Sequence, residues 1–254
     1  MLVTPGDVSG NLSRAEKRIA TAATQGADVV LLPEALDCGW THPSATLSAG
    51  TIPDGDACRR LRAAAKQQGV FVCTGLVECD SRNTQHATRI FNSAVLIDPR
   101  GEVILHHRKI NELDFARKLY SVGDRLGVAE TPWGRAGLMI CADAFAPGQV
   151  ISRSLALMGA QFILSPCAWA VPAEHDNKRE PYGQLWLDNY GPVARDFGVW
   201  IAGCSNVGPI TEGEWAGRKC IGNSLVCGPE KLIAAQGQHG DSADEIITVR
   251  IKID

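Results

Sequence analysis

Apolar residues recur along this chain in short continuous runs separated by amphipathic stretches that end in glycine. Ser13-Arg14-Ala15-Glu16 has capping-box spacing, in which the serine oxygen and the glutamate carboxylate satisfy free N–H groups at a helix start. Ile19 and Ala22-Ala23 carry that helix to Gly26, a natural stop. Ala27 to Leu32 follows as an unbroken, branched run, the pattern of a strand buried on both faces, and it exits through Pro33-Glu34. The unit repeats, with a helix from Asp56 through Leu61 and Ala63-Ala65 to Gly69, then a strand over Val70 to Cys73. Ser93 to Asp98 and Glu102 to His107 read as a hairpin around Pro99-Arg100-Gly101, leading into Arg108-Lys109. After a turn at Thr131 to Gly134, an apolar strand runs to Cys141.

The second half continues the alternation. A helix over Val150 to Met158 stops at Gly159, and a further helix from about Tyr182 to Phe197 stops at Gly198 before a strand over Val199 to Ala202. Strands near Ser224 to Cys227 and Glu245 to Ile253 close the chain, the last read as an edge or a partner-facing arm. Gly26-Ala27-Asp28-Val29-Val30-Leu31-Leu32-Pro33 and Gly159-Ala160-Gln161-Phe162-Ile163-Leu164-Ser165-Pro166 share one pattern of helix stop, buried strand and proline, a hint of two similar halves. No linker or low-complexity stretch divides the sequence, so residues 1–254 are read as one α/β domain.

Composition narrows the function class. The chain is 45% hydrophobic and 21% charged with a net charge of −3, and it has no basic run with interleaved aromatics, which argues against nucleic acid as a partner. No apolar run reaches the roughly 18 residues of a membrane span, and no signal peptide is visible at the N-terminus. Nine cysteines, an odd number with no CxxC and no zinc-like Cys/His spacing, fit a reduced, cytoplasmic setting without metal. His106 and His107 are adjacent, so on a strand they point to opposite faces and do not readily share a metal. The chain lacks a nucleophile elbow, a phosphate loop and a dinucleotide fingerprint.

Three residues remain, each at the end of a strand or just beyond it: Glu34, Lys109 and Cys141. Each has an ordinary reading when taken singly. Glu34 fits a solvated loop, Lys109 a solvated strand exit, and Cys141 a small core hydrophobe. A Cys–His pairing of Cys141 is also conceivable, although no spacing selects the histidine. Together the three supply a nucleophile (Cys141), a general base (Glu34) and an oxyanion partner (Lys109, with the backbone N–H of Ala142).

The stretches Leu31-Leu32-Pro33-Glu34, His107-Arg108-Lys109-Ile110, Gly137-Leu138-Met139-Ile140-Cys141-Ala142-Asp143, Ser165-Pro166-Cys167-Ala168-Trp169 and Ser205-Asn206-Val207-Gly208 resemble, in order, motifs of the nitrilase or carbon–nitrogen hydrolase superfamily. The resemblance implies a four-layer α-β-β-α sandwich of two mixed sheets flanked by helices. It implies cleavage of a non-peptide C–N bond through a thioester, with no cofactor, on a small amide substrate with water. It also implies pairing into a homodimer or higher oligomer through outer helices, for which Leu185, Trp186 and Leu187 would suit a face. Cys141-Ala142-Asp143 resembles the amidase and carbamoylase form more than the Cys-Trp-Glu of true nitrilases. Phe145 and Trp169 are the expected pocket walls beside Ala142.

Three departures from the family pattern matter. Where relatives acting on acidic substrates often carry arginine, this chain has Ala144 and Phe145, which points to a neutral substrate unless Arg179 or Arg195 acts from another loop. The second glutamate common in the family has no match in Ala116 to Tyr120, which leaves Glu112, three residues after Lys109, to serve or to be solvated. Only Leu2-Val3-Thr4 is available for a first strand, so either that strand is abbreviated or the true start lies elsewhere. The alternatives are a nitrilase of small nitriles, acyl transfer to an amine, and an inactive scaffold with the same fold.

Overall fold

The structure, a computed structural model, describes residues 1–80 and 88–253. Its first half builds a mixed sheet in the order β1-β2-β3-β4, from β1 (Val29–Leu31), β2 (Phe71–Asp80), β3 (Arg89–Ile97) and β4 (Val103–Arg108). β1 lies parallel to β2, whereas β2–β3 and β3–β4 are antiparallel, so β1, β2 and β4 all run the same way. Helices α1 (Val8–Thr24) and α3 (Asp56–Gln68) cover the outer face, and the single turn α2 (Ala45–Ser48) lies in the loop between them. Alternation along the strands sorts the packing. Val30, Val72, Val95 and Ile97 pack under Leu12, Ile19 and Leu61 of the helices, while Phe71, Cys73, Ala94 and Leu96 face the other way.

The second half repeats the arrangement. β5 (Val128–Thr131), β6 (Gly134–Leu138), β7 (Phe162–Cys167), β9 (Trp200–Ser205), β12 (Leu225–Cys227) and β13 (Ala235–Gln236) form a sheet in the order β13-β12-β9-β7-β6-β5. β6, β7 and β9 are parallel, β5 and β12 are antiparallel to them, and β13 is antiparallel to β12. Its inner residues Ala136, Leu138, Ile140, Phe162 and Leu164 meet the inner face of the first sheet. Its outer residues Ile163, Ile201 and Leu225 pack under α4 (Val150–Leu157) and α5 (Gln184–Phe197). Both faces of both sheets are therefore buried, which explains the continuous apolar runs, and the layers are α-β-β-α as expected. A small third sheet, β10 (Val207–Pro209), β11 (Lys219–Ile221) and β8 (Ala170–Val171), closes one end.

Several sequence expectations are corrected. Helix α1 begins at Val8, not at Ser13, because Asp7 caps it by accepting the Gly10 N–H at 3.0 Å. Ser13 then hydrogen-bonds within the helix, and Glu16 pairs with Arg60 of α3 at 2.7 Å. The strand expected over Glu245 to Ile253 makes no ladder among the described residues. The segment docks through Ile246, Ile251 and Ile253, and Trp200 donates its indole N–H to the Lys252 carbonyl at 2.9 Å. Trp186 faces the core and is 2% exposed, so it belongs to no dimer face. At the N-terminus, Leu2 forms a single parallel bridge to Val207.

β1 is an edge strand among the described residues, and beside it lies a cavity of about 650 Å³. Val29, Leu31, Phe162, Trp200, Ala202 and Ile251 are among its walls, whereas Glu34, Lys109 and Cys141 are not. No helix among the described residues is long and apolar enough to cross a membrane.

Candidate active site

Because β1, β2 and β4 run the same way, the exits of β1 and β4 lie at one end of their sheet, where open α/β sheets bind ligands. Glu34 follows β1. Its N–H donates across to the Cys167 carbonyl of β7 at 3.2 Å, stitching the two sheets at this point. Gly75 on β2 lets the chain come close: a Cβ there would lie 2.5 Å from the Glu34 Cα. Lys109 follows β4 and stays tied to β3, with its N–H donating to the Asn92 carbonyl at 2.9 Å.

The side chains meet in a sealed cluster. Lys109 Nζ donates to Glu34 Oε1 at 2.7 Å, and Asn92 Nδ2 donates to the same oxygen at 2.7 Å. Glu34 Oε2 has no hydrogen-bond partner among the described residues. Glu112 Oε2 stands 3.6 Å from Lys109 Nζ, which brings this glutamate into the cluster. Glu34 and Lys109 are each 1% exposed, so their charges act through little water. Burial opposes the Lys109 ammonium, but the Glu112 and Glu34 carboxylates hold its pKa well above the usual lysine range. Burial also pushes the Glu112 carboxyl up to about 7, with Lys109 pulling the other way.

Cys141 arrives from the second sheet. β6 ends at Leu138, the Met139 N–H still bonds to the Leu164 carbonyl, and the chain then turns into a short 3₁₀ segment, Cys141–Phe145. Cys141 itself has φ of +44°, in the left-handed region that side chains other than glycine rarely adopt. Its N–H donates to Ser165 Oγ at 3.1 Å. Strain of this kind is concentrated at functional turns. Burial, a hydrogen bond with Cys167 and the negative charge of Glu34 raise the Cys141 thiol well above its ordinary pKa, while Lys109 opposes them. The resting sulfur therefore keeps its proton.

Ala142 is buried, and its carbonyl accepts from Asn111 Nδ2 at 2.7 Å. Phe145 is half-buried and packs 5.6 Å from Trp186. Trp169 is 1% exposed and stacks on Trp186 at 4.4 Å between centroids, within the core under α5. Ala144 also lies in that core. Arg179 is exposed, and Arg195 is exposed beside Asp196. Among the described residues no group of three or more His, Cys, Asp or Glu side chains is arranged to hold a metal ion.

Sequence reasoning overlooked Asn92 and the linkage of His107 to Asp143. Asn92-Ser93 is a polar pair inside the apolar run of β3, a signal that was available. His106 and His107 do point to opposite faces of β4, His106 to Glu78 at 3.0 Å and His107 to Asp143 at 2.8 Å.

The comparisons with known proteins agree with this architecture. A nitrilase of Pyrococcus abyssi (strain GE5 / Orsay) is 32% identical over 234 residues, 90% of this chain and 79% of that protein. Omega-amidase NIT2 of Homo sapiens is 29% identical over 210 residues, 76% of this chain and 73% of that one. An amidase from Nesterenkonia sp. superposes with a TM-score of 0.73 at 25% identity, covering 95% of this chain and 84% of that chain. A carbon-nitrogen hydrolase from Helicobacter pylori G27 shares the fold at a TM-score of 0.80 and 20% identity, covering 93% and 83%. The profile of the carbon-nitrogen hydrolase family matches residues 3–254, and the chain belongs to that family.

Proposed function

We propose that this protein hydrolyses the C–N bond of a small uncharged amide through an acyl-thioester on Cys141. The observation that carries the reading is the division of labour on Glu34. Oε1 is held by two donors, Lys109 and Asn92, while Oε2 has no partner among the described residues, and the Glu34 charge acts on the Cys141 thiol. Because the resting thiol keeps its proton, attack needs a base in place. Glu34 Oε2 takes the proton as the sulfur bonds to the amide carbon. Lys109 and the Ala142 N–H stabilise the oxygen that becomes negative. Collapse breaks the C–N bond, and Glu34 returns its proton to the leaving nitrogen. Water then attacks the thioester, giving its proton to Glu34. The C–S bond breaks, and the sulfur is reprotonated as the acid leaves. Glu112, 3.6 Å from Lys109 Nζ, helps to keep Lys109 charged.

The neutral character of the substrate is supported by the turn after Cys141, where Ala144 is turned into the core and Phe145 rests on Trp186. Phe145 and Trp169, which both pack on Trp186, are proposed as the apolar side of the substrate pocket. Butyramide and its carboxylated analogue succinamate test this directly. The expected kcat/KM favours butyramide by at least about tenfold, a difference of ~1.4 kcal/mol. A preference for succinamate overturns the neutral-substrate reading, and Cys141→Ala retaining native turnover overturns the mechanism.

The protein is further inferred to act in the cytoplasm as a homo-oligomer. All nine cysteines are free thiols, as in a reducing compartment. Val150 and Leu157 on α4 and Leu185 on α5 are exposed apolar side chains on the outer helices, which supports pairing there. Light scattering should report a dimer or larger species that Leu157→Glu with Leu185→Glu dissociates. A native monomer would refute the pairing.

A further inference from the structure

The Asp143 carboxylate is completely buried and collects four hydrogen bonds from two separate parts of the site. Oδ1 accepts the backbone N–H groups of Ile110 at 3.1 Å and Asn111 at 2.7 Å, the two residues after Lys109. Oδ2 accepts the N–H of Ile140 at 2.9 Å, the residue before Cys141, and faces His107 Nε2 at 2.8 Å. One side chain therefore clamps the turn that carries the nucleophile to the loop that carries the lysine. Asn111 adds a second tie through the Ala142 carbonyl, which fixes the peptide next to the Ala142 N–H.

An ionised carboxylate accepts and does not donate, so His107 must carry a proton on Nε2. Burial works against the Asp143 charge, but the His107 hydrogen bond and charge and the Asn111 amide together lower its pKa below the usual value. Without a side-chain donor at His107, a protonated Asp143 would present an O–H toward one of three remaining N–H groups. One tie would then be lost in a place where water cannot replace it. His107 is 3% exposed and sits in β4 two residues before Lys109, which follows the strand, so its ring is held by the strand that leads into the lysine.

We infer that His107 is a positioning residue: by donating to Asp143 it holds the Cys141 turn in register with Lys109 and Glu34. The inference rests on the thioester mechanism above but is tested by a measurement that needs no turnover. In catalysis its loss should appear in kcat, because a misplaced nucleophile and oxyanion donor weaken the transition state more than substrate binding.

The test compares His107→Phe, which keeps a ring and removes the donor, with His107→Gln, whose Nε2 can restore it. Each is read by the rate of 2-chloroacetamide alkylation of Cys141, followed by peptide mass spectrometry at neutral pH, and by kcat and KM on butyramide. His107→Phe is expected to slow alkylation about tenfold and kcat about a hundredfold with KM little changed, the scale of a misplacement near 1 Å. His107→Gln should recover most of both. Alkylation and kcat at native levels in His107→Phe overturn the inference, as does a His107→Gln variant equally impaired. Should His107→Phe fail to melt cooperatively, Asp143→Asn takes its place, since its amide would face the Ile140 N–H and His107 Nε2 with donors. A lower melting temperature with unchanged alkylation per folded molecule in that variant also overturns it. If native protein hydrolyses no amide, the proposed function falls, while the alkylation series still decides the role of His107.

Discussion

Glu112 loses its water on folding and gains Lys109 only at 3.6 Å, so its carboxyl holds a proton more tightly in the native protein than in the unfolded chain. A raised carboxyl pKa stabilises the native state at pH values below the unfolded value of 4.5, and that contribution is lost as pH rises toward about 7. Titrating alone, the group would account for on the order of 3 kcal/mol across that interval. Asp37, buried and raised from 3.8 to about 6 mainly by desolvation, adds in the same direction. Melting temperatures measured between pH 5 and 8 should therefore fall more steeply for the native protein than for Glu112→Gln. Parallel curves would show that Glu112 does not titrate there. The same substitution is expected to reduce kcat by roughly a hundredfold, because it loosens the hold on Lys109, whose loss as an oxyanion partner would cost on that scale. Unchanged turnover would make Glu112 a bystander.

Among the elements, β2 and the β4 exit set the site through close backbone approach. Gly75 lies against the peptide that carries Glu34, donates its N–H to the Pro33 carbonyl and accepts from the Leu36 N–H. A methyl group there meets backbone, which has less freedom to move than a side chain. Gly75→Ala should cost about 1–3 kcal/mol of stability, the range for overpacking a tight interior, and should displace Glu34 from Lys109. Denaturant unfolding and kcat measured together check this, and a variant with native values for both would mean that the β1 exit can yield. Gly123 plays the corresponding part at the β4 exit. Its N–H donates to the Lys109 carbonyl at 2.8 Å, and a Cβ there would run into the Arg108 carbonyl.

On the scale of the whole molecule, two sheets share one inner layer of side chains, and the proposed catalytic groups lie where strand exits from both halves converge. The C-terminal segment stands apart from this order. It is docked by isoleucines and the Trp200 hydrogen bond, without ladder pairing among the described residues, over a cavity that begins at the β1 edge. Amides without ladder bonds open at low free-energy cost. Hydrogen exchange should therefore be complete early in 245–253, and late in β2 and β3, which pair over the full length of a buried hairpin. Equal protection in the two regions would contradict the packing described.

The order of helices and buried strands, the paired halves and the three strand-exit residues Glu34, Lys109 and Cys141 were legible in the sequence. Local signals carry them: apolar runs, glycine stops and a polar residue just past each run. The helix start at Asp7 was missed because Ser13 to Glu16 satisfies the same local rule, and no local rule says which cap is used. Partners distant along the chain were not legible. Lys109 and Glu34 are 75 residues apart, Asn92 and Glu34 58, and His107 and Asp143 36. Sequence alone determined which chemical groups stand at the strand exits. Only the tertiary structure decided which oxygen of Glu34 is held by Lys109 and Asn92, that Glu112 joins Lys109, and that Asp143 ties the two halves of the site. Those are questions of distance and desolvation, which arise only once the two sheets have packed together.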